Sequence, residues 1–135
     1  MTFAADLARF VEKAGRNADA VVRNVTLEAA NSVIEMSPVD TGRFRANWQH
    51  GSGAANLATR EAVDPSGQQS KSRIAGSAAA VKAGGVEYIT NNLPYAQALE
   101  NGHSQQAPAG MVGVTLRSFT ETVNRAVNQA KSKRP

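Results

Sequence analysis

Residues 93–104 read Leu-Pro-Tyr-Ala-Gln-Ala-Leu-Glu-Asn-Gly-His-Ser, and this stretch decides the fold because it joins an apparent strand to an apparent final helix. Its proline suits the first turn of a short helix over 94–100, and Gly102 suits the left-handed residue that ends such a helix. None of these side chains suggests a reactive centre. We therefore predict a structural corner, with Tyr95 and Leu99 anchored in the core.

The composition predicts one small domain over residues 1–135 with a thin core. Apolar residues make up 41% of the 135 residues, but many of them are alanine and only 5% are aromatic. There is no cysteine, which excludes disulfides, thiolate metal sites and a cysteine nucleophile. We see neither a secretion signal nor an apolar run of membrane-spanning length, so we expect no membrane partner.

The charge is basic, with a net charge of +4 and a pI near 9.9. Most basic residues are scattered among acids, as on an ordinary solvated surface. The exceptions are Arg43 with Arg45 and the C-terminal group of Lys131, Lys133 and Arg134. Clustered basic side chains can release counterions from nucleic-acid phosphates, so these five residues are candidate contacts to DNA or to an acidic partner.

In the first third of the chain, apolar residues recur every three or four positions from Phe3 to Met36, which predicts one long amphipathic helix. The turn residues at 37–42 end it. Residues 43–50 then alternate apolar and polar side chains, which predicts a strand with Phe44 and Trp48 on one face.

In the remainder, residues 51–72 are rich in Gly, Ser, Gln and Asn, and we predict a long flexible loop. A short helix over 72–82, a strand over 86–91 and a final helix from about 110 to 130 follow, and residues 131–135 form a basic tail. The predicted fold class is α+β: a short antiparallel sheet packed by a long N-terminal helix and a C-terminal helix.

The candidate catalytic groups do not assemble into a known motif. His50 and His103 do not share a metal-binding spacing, and we predict both to be surface or loop residues. Asp40, Thr41 and Gly42 are accounted for as a turn, since no base or oxyanion site can be named for a hydroxyl nucleophile. We predict no catalytic, cofactor-binding or metal-binding residues. A hydrolase that uses either histidine stays as a remote hypothesis.

Two stretches resemble the small head-to-tail joining, or tail-completion, proteins of long-tailed bacteriophages. Ser37 to Gly42 resembles that family's "P-V-D-T-G" turn, and Tyr95 to Ser104 resembles its "Y-A-x-x-L-E-x-G-x-S" segment. The order and spacing agree over about residues 10–130. The matching positions, with the proline that precedes the last helix, are Pro38, Asp40, Thr41, Gly42, Tyr95, Leu99, Glu100, Gly102, Ser104 and Pro108.

The resemblance implies a non-enzymatic virion protein of the phage tail or neck, assembled in the host cytoplasm and requiring no cofactor. Such proteins form a homo-oligomeric ring, commonly of six subunits, that terminates the tail tube and meets the head connector or stopper protein. Glu100, Gly102 and Ser104 would then shape a loop for the next protein, and residues 51–72 would order on docking. Arg43, Arg45 and the basic tail would line the lumen or contact partners.

A second hypothesis comes from a different class of protein. Arg43, Arg45 and the basic tail could make the chain a small nucleic-acid-binding module, whose affinity would fall steeply with salt.

Overall fold

The computed structural model of the protein describes residues 2–6 and 18–132. Its strands form one antiparallel sheet in the order β1-β3-β2, and the helices pack on it. The predicted α+β class is therefore confirmed. The elements in chain order are β1 (Thr2–Asp6), α1 (Ala18–Met36), α2 (Arg43–Ala46), β2 (Trp48–Ser52), α3 (Gln68–Ala78), β3 (Val86–Asn91), α4 (Ala96–Glu100), α5 (Val112–Arg117) and α6 (Phe119–Ser132).

The N-terminal helix is shorter than its apolar pattern predicts. Thr2–Asp6 pairs along β3, with Thr2 opposite Thr90 and Asp6 opposite Val86, and the described helix begins at Ala18. The predicted helix over 7–17 lies outside the described residues. Pairing with β3 gives partners to the backbone groups of residues 2–6 that face it, so the prediction of one helix from residue 3 was wrong.

The strand predicted over 43–50 is a helical turn followed by a strand. Arg43–Ala46 is helical, and β2 begins only at Trp48. The Asn47 side-chain amide donates to the carbonyl oxygen of Arg43 at 2.8 Å, which helps to satisfy the end of the turn. Phe44 and Trp48 are four residues apart, a spacing that fits both periods, so a window this short cannot distinguish helix from strand.

Helix α1 contributes to two apolar clusters. Its C-terminal half packs on the sheet and on α4, whereas its N-terminal half packs on α3 and α6. The three-to-four spacing correctly predicted its buried face, which includes Val21, Val25, Ala29 and Val33. Trp48 is fully buried at the centre of the first cluster, where its ring meets that of Phe44 edge-on at 5.8 Å.

The segment 51–72 is more structured than predicted. Residues 51 and 52 belong to β2, and α3 begins at Gln68 rather than at residue 72. Between them, the carbonyl oxygen of Asn56 accepts hydrogen bonds from the side chains of Thr90 and Asn92, and the Arg60 N–H donates to Asn47. These bonds hold the segment against the sheet.

The outer edge of β2 is closed by an arginine from α3. Arg73 donates to the carbonyl oxygens of Ala46 and Trp48 and to the side chain of Gln49. A charged side chain over an edge strand blocks pairing with another chain at that position.

The final helix is also interrupted. The predicted continuous helix is divided at Ser118 into α5 and α6, and Phe119 packs against both clusters. No helix within residues 18–132 is long and apolar enough to cross a membrane.

Candidate functional site

The two stretches that carry the resemblance meet at one cleft of about 240 Å³. We call it the motif cleft; the turn 38–44 forms one side of it. Gln106 joins the sides, because its amide accepts from the Val39 N–H at 2.8 Å and donates to the Val39 carbonyl at 3.1 Å. The other lining side chains are Tyr95, Leu99, Ser104 and Gln106.

The first side of the cleft depends on Gly42. Gly42 has φ +94°, and a Cβ at this position would come within 2.5 Å of the Pro65 backbone nitrogen. Its carbonyl accepts from the N–H groups of Asp64 and Ala46. The glycine of the Asp-Thr-Gly turn is therefore required by a close backbone contact, while Asp40 and Thr41 remain exposed at the rim.

Asp64 fastens that contact to helix α3. Its carboxylate is buried and accepts the Ser70 N–H at 2.7 Å. Burial by itself would raise the pKa of Asp64, but hydrogen bonds from Ser70, Gly67 and Ser66 outweigh it and hold the pKa below the usual 3.8. The ionised carboxylate thus stabilises the segment that supports Gly42.

Replacing Asp64 with asparagine should make the free energy of unfolding fall less steeply as the pH is lowered into the acid range. Because the folded pKa is depressed, the carboxylate stabilises fully above the unfolded value of 3.8, and this contribution is lost as pH falls through the folded pKa. Urea unfolding of wild type and Asp64→Asn at several pH values should show the larger acid loss in wild type. Ser66→Ala removes one weaker donor to the carboxylate, and its loss of stability at acid pH should lie between those of wild type and Asp64→Asn. Parallel curves would contradict this role.

The second side is built around the end of α4. The N–H of Gly102 donates to the Leu99 carbonyl and that of His103 to the Ala98 carbonyl, so the helix ends in a Schellman motif. Gly102 has φ +88°, which confirms the predicted left-handed cap. A Cβ on Gly102 would also strike the Pro108 carbonyl oxygen, at 2.6 Å.

Glu100 links this corner to the next helix. Its two carboxylate oxygens accept the backbone N–H groups of Met111, Val112 and Gly113, each at 2.9 Å. These donors lie at the beginning of α5, where N–H groups lack partners within the helix and negative charge is favoured. Glu100 therefore positions α5 within its own chain, and its part in a loop for the next protein stays a prediction.

Tyr95 does not anchor the core as predicted. The residue is 41% exposed, and its ring lies 6.1 Å from the ring of Phe44 at the wall of the cleft. Leu99 is half-buried and packs against the first apolar cluster, in the manner expected of an anchor. The corner thus places one aromatic ring at the surface.

The two candidate arginines are committed to contacts within the chain. Arg45 donates to the carbonyl oxygens of Glu35, Ser37 and Pro65. Arg43 donates to the carbonyl of Arg60 and pairs with the exposed carboxylate of Glu61 at 3.3 Å.

None of the three candidates from the C-terminal tail has a described side chain. Lys131 belongs to α6 by its backbone, and Lys133 and Arg134 lie outside the described residues.

A buried polar network around His50 was missed by sequence reasoning, which placed this histidine at the surface. His50 Nε2 lies 2.8 Å from Glu87 Oε1, and His50 Nδ1 lies 2.7 Å from the Ser77 hydroxyl. The Ser52 hydroxyl donates to the second Glu87 oxygen at 2.8 Å. Ser52 and Glu87 face each other across β2 and β3, so strand register creates the network. His103, in contrast, is exposed as predicted.

This Ser-His-Glu order resembles a catalytic triad, but Ser77 is poorly placed for nucleophilic chemistry. It lies in the last turn of α3, where helix carbonyls make the local potential negative and oppose a developing oxyanion. The nearby N–H groups are also used within the helix. The network instead joins α3 to the sheet. Within residues 18–132, no three His, Asp or Glu side chains converge as a metal site would require.

Comparisons of the chain with protein-family models, curated proteins and solved structures find no match.

Proposed function

We propose that the protein is a structural subunit of a bacteriophage neck. Six copies form a ring that terminates the tail tube and meets the head connector or stopper protein. One observation carries the proposal. The two stretches that resemble the head-to-tail joining family, about fifty residues apart, form the two sides of one surface cleft.

The composition of the motif cleft suits the docking of a protein. The ring of Tyr95 and the side chain of Leu99 provide apolar contact area above the buried Phe44, and Asp40 and Thr41 add polar groups at the rim. A partly exposed tyrosine beside a small apolar pocket is typical of the anchor positions that dominate protein interfaces. Gly42 in the cleft wall and Glu100 behind it hold the two sides in place through backbone contacts.

The contacts of Arg43 and Arg45 lend no support to the nucleic-acid hypothesis. Both guanidinium groups donate to backbone carbonyls of their own chain, and Arg43 is also paired with Glu61. Phosphate binding would have to compete with these bonds. The hypothesis stays a prediction for the C-terminal tail.

Electron microscopy of the purified chain mixed with tail tubes of the phage that encodes it should show closed rings at tube ends. Tyr95→Glu places a charge in the motif cleft and should abolish the rings at tube ends. A docked partner would have to remove water from this carboxylate, which costs more free energy than the contact returns. Gln97→Glu is the matched control, since it adds the same charge to an exposed position of α4 outside the cleft.

A wild-type chain that stays monomeric and does not bind to tail tubes would overturn the proposed function. If Tyr95→Glu and wild type form rings on the same fraction of tube ends, the motif cleft has no part in the proposed function.

A further inference from the structure

The motif cleft has an unpaired acidic group at its rim. Asp40 is exposed and forms no ion pair among the described residues, whereas its neighbour Arg43 is neutralised by Glu61. The floor and wall are apolar, from Phe44 and Tyr95. A complementary surface would present a large apolar side chain next to a basic one.

Helix α5 carries such a pair. Leu116 is 50% exposed, and Arg117 beside it is exposed and forms no ion pair among the described residues. Exposure of half a leucine side chain leaves apolar area in water that a partner could cover.

The geometry of α5 prevents this pair from reaching the cleft of its own chain. The Thr115 hydroxyl bonds to Ser32 on α1 at 2.7 Å, so this face of the helix lies against α1. Val114, the residue before Thr115, lines a surface depression. Gln106 lines both this depression and the motif cleft, so Val114 marks the side of α5 that is nearer to the cleft. At about 100° per residue, Leu116 projects roughly 200° away from Val114. Leu116 therefore faces away from the cleft and is available to another copy.

The other exposed apolar side chains fit the cleft less well. Leu57 and Val63 belong to the segment whose Glu61 pairs with Arg43, so that segment already borders the cleft within its own chain.

We propose that Leu116 and Arg117 of one copy dock into the motif cleft of the next. Leu116 packs against the exposed ring of Tyr95 at the wall of the cleft, and the Arg117 guanidinium pairs with the Asp40 carboxylate. The two surfaces differ, so the contact is heterologous, and repetition of it closes into a ring when the rotation between copies allows. This inference rests on the proposed function and names the contact that builds its ring.

Chemical cross-linking tests the contact directly, because the natural chain contains no cysteine. An Asp–Arg pair holds its Cα atoms farther apart than a disulfide allows, so a short bismaleimide is used on oligomers formed with tail tubes present. A mixture of Asp40→Cys and Arg117→Cys chains should yield cross-linked dimers, and the double variant should yield a ladder up to the complete ring. Lys82→Cys, at an exposed position outside this contact, replaces Arg117→Cys in the control and should yield no ladder.

Charge reversal supplies a second readout on the unlinked protein. Asp40→Arg alone and Arg117→Asp alone should each reduce the ring fraction about tenfold or more, and the double reversal should restore it, because like charges at an interface repel.

Rings that form without an Asp40–Arg117 cross-link and without rescue would overturn this contact while leaving the proposed function intact. If the cross-linked products of the double variant do not go beyond dimers, the contact is not heterologous, since a head-to-tail contact would link successive copies. A chain that forms no oligomer with tubes would overturn both.

Discussion

Replacing His50 with leucine should lower the free energy of unfolding by about 1–3 kcal/mol, the cost typical of leaving a buried polar group without its hydrogen-bond partner. The side chains of His50 and Glu87 are only 2% and 5% exposed. Without the imidazole, the Glu87 carboxylate stays buried with the Ser52 hydroxyl as its remaining side-chain donor. The loss should be measured by urea unfolding at pH 7, monitored by circular dichroism.

Two further variants isolate the reason for this loss. Ser77→Ala removes the hydrogen bond to the other ring nitrogen at an exposed position and should cost about 1 kcal/mol or less. The double variant His50→Leu with Glu87→Leu removes both buried polar groups and should recover most of the stability, since apolar replacement of a whole pair is often close to neutral. Equal losses in His50→Leu and Ser77→Ala would contradict the buried pairing.

Replacing Gly42 with alanine should cost about 2–5 kcal/mol, which combines about 1–2 kcal/mol for the left-handed backbone with about 1–3 kcal/mol for steric overlap. The overlap arises because the new Cβ would lie 2.5 Å from the Pro65 nitrogen, and a backbone atom cannot move aside as a flexible side chain can. The same variant should also weaken ring formation, since Gly42 lines the motif cleft.

Gly53→Ala is the matched control for the backbone cost. Gly53 has φ +76°, but among the described residues beyond its chain neighbours no atom lies within 4 Å of the position that an added Cβ would take. Its substitution should therefore cost only about 1–2 kcal/mol. The difference between the two alanine variants then measures the Gly42–Pro65 contact. Equal unfolding free energies for the two variants would show that this contact does not constrain the turn.

Local sequence signals predicted those features that depend on neighbouring residues. The strand at Val86–Asn91 follows two glycines and has strand composition, and the predicted bounds are those observed. Gly102 ends α4 in the left-handed conformation that its position suggested. The helical spacing from Val21 to Val33 correctly identified the face of α1 that is buried.

The predictions that failed were those in which a distant segment competes with the local preference. Residues 2–6 have a pattern that also fits a helix, but β3 offers them a partner strand. Tyr95 looked like a core residue because it is large and apolar, yet Phe44 and Leu99 fill the corner and leave it at the surface. His50 looked like a surface residue because its partner, Glu87, lies 37 positions away.

By itself, therefore, the sequence determined the α+β class, the buried face of α1 and the glycine-capped corner at 93–104, because helical period and backbone dihedral preference act within a few residues. Only the tertiary structure decided that Val39 meets Gln106, 67 positions away, and that Glu100 holds the start of α5. These contacts make the motif cleft. Sequence spacing does not encode them, because packing of the whole core selects which distant backbone groups lie side by side.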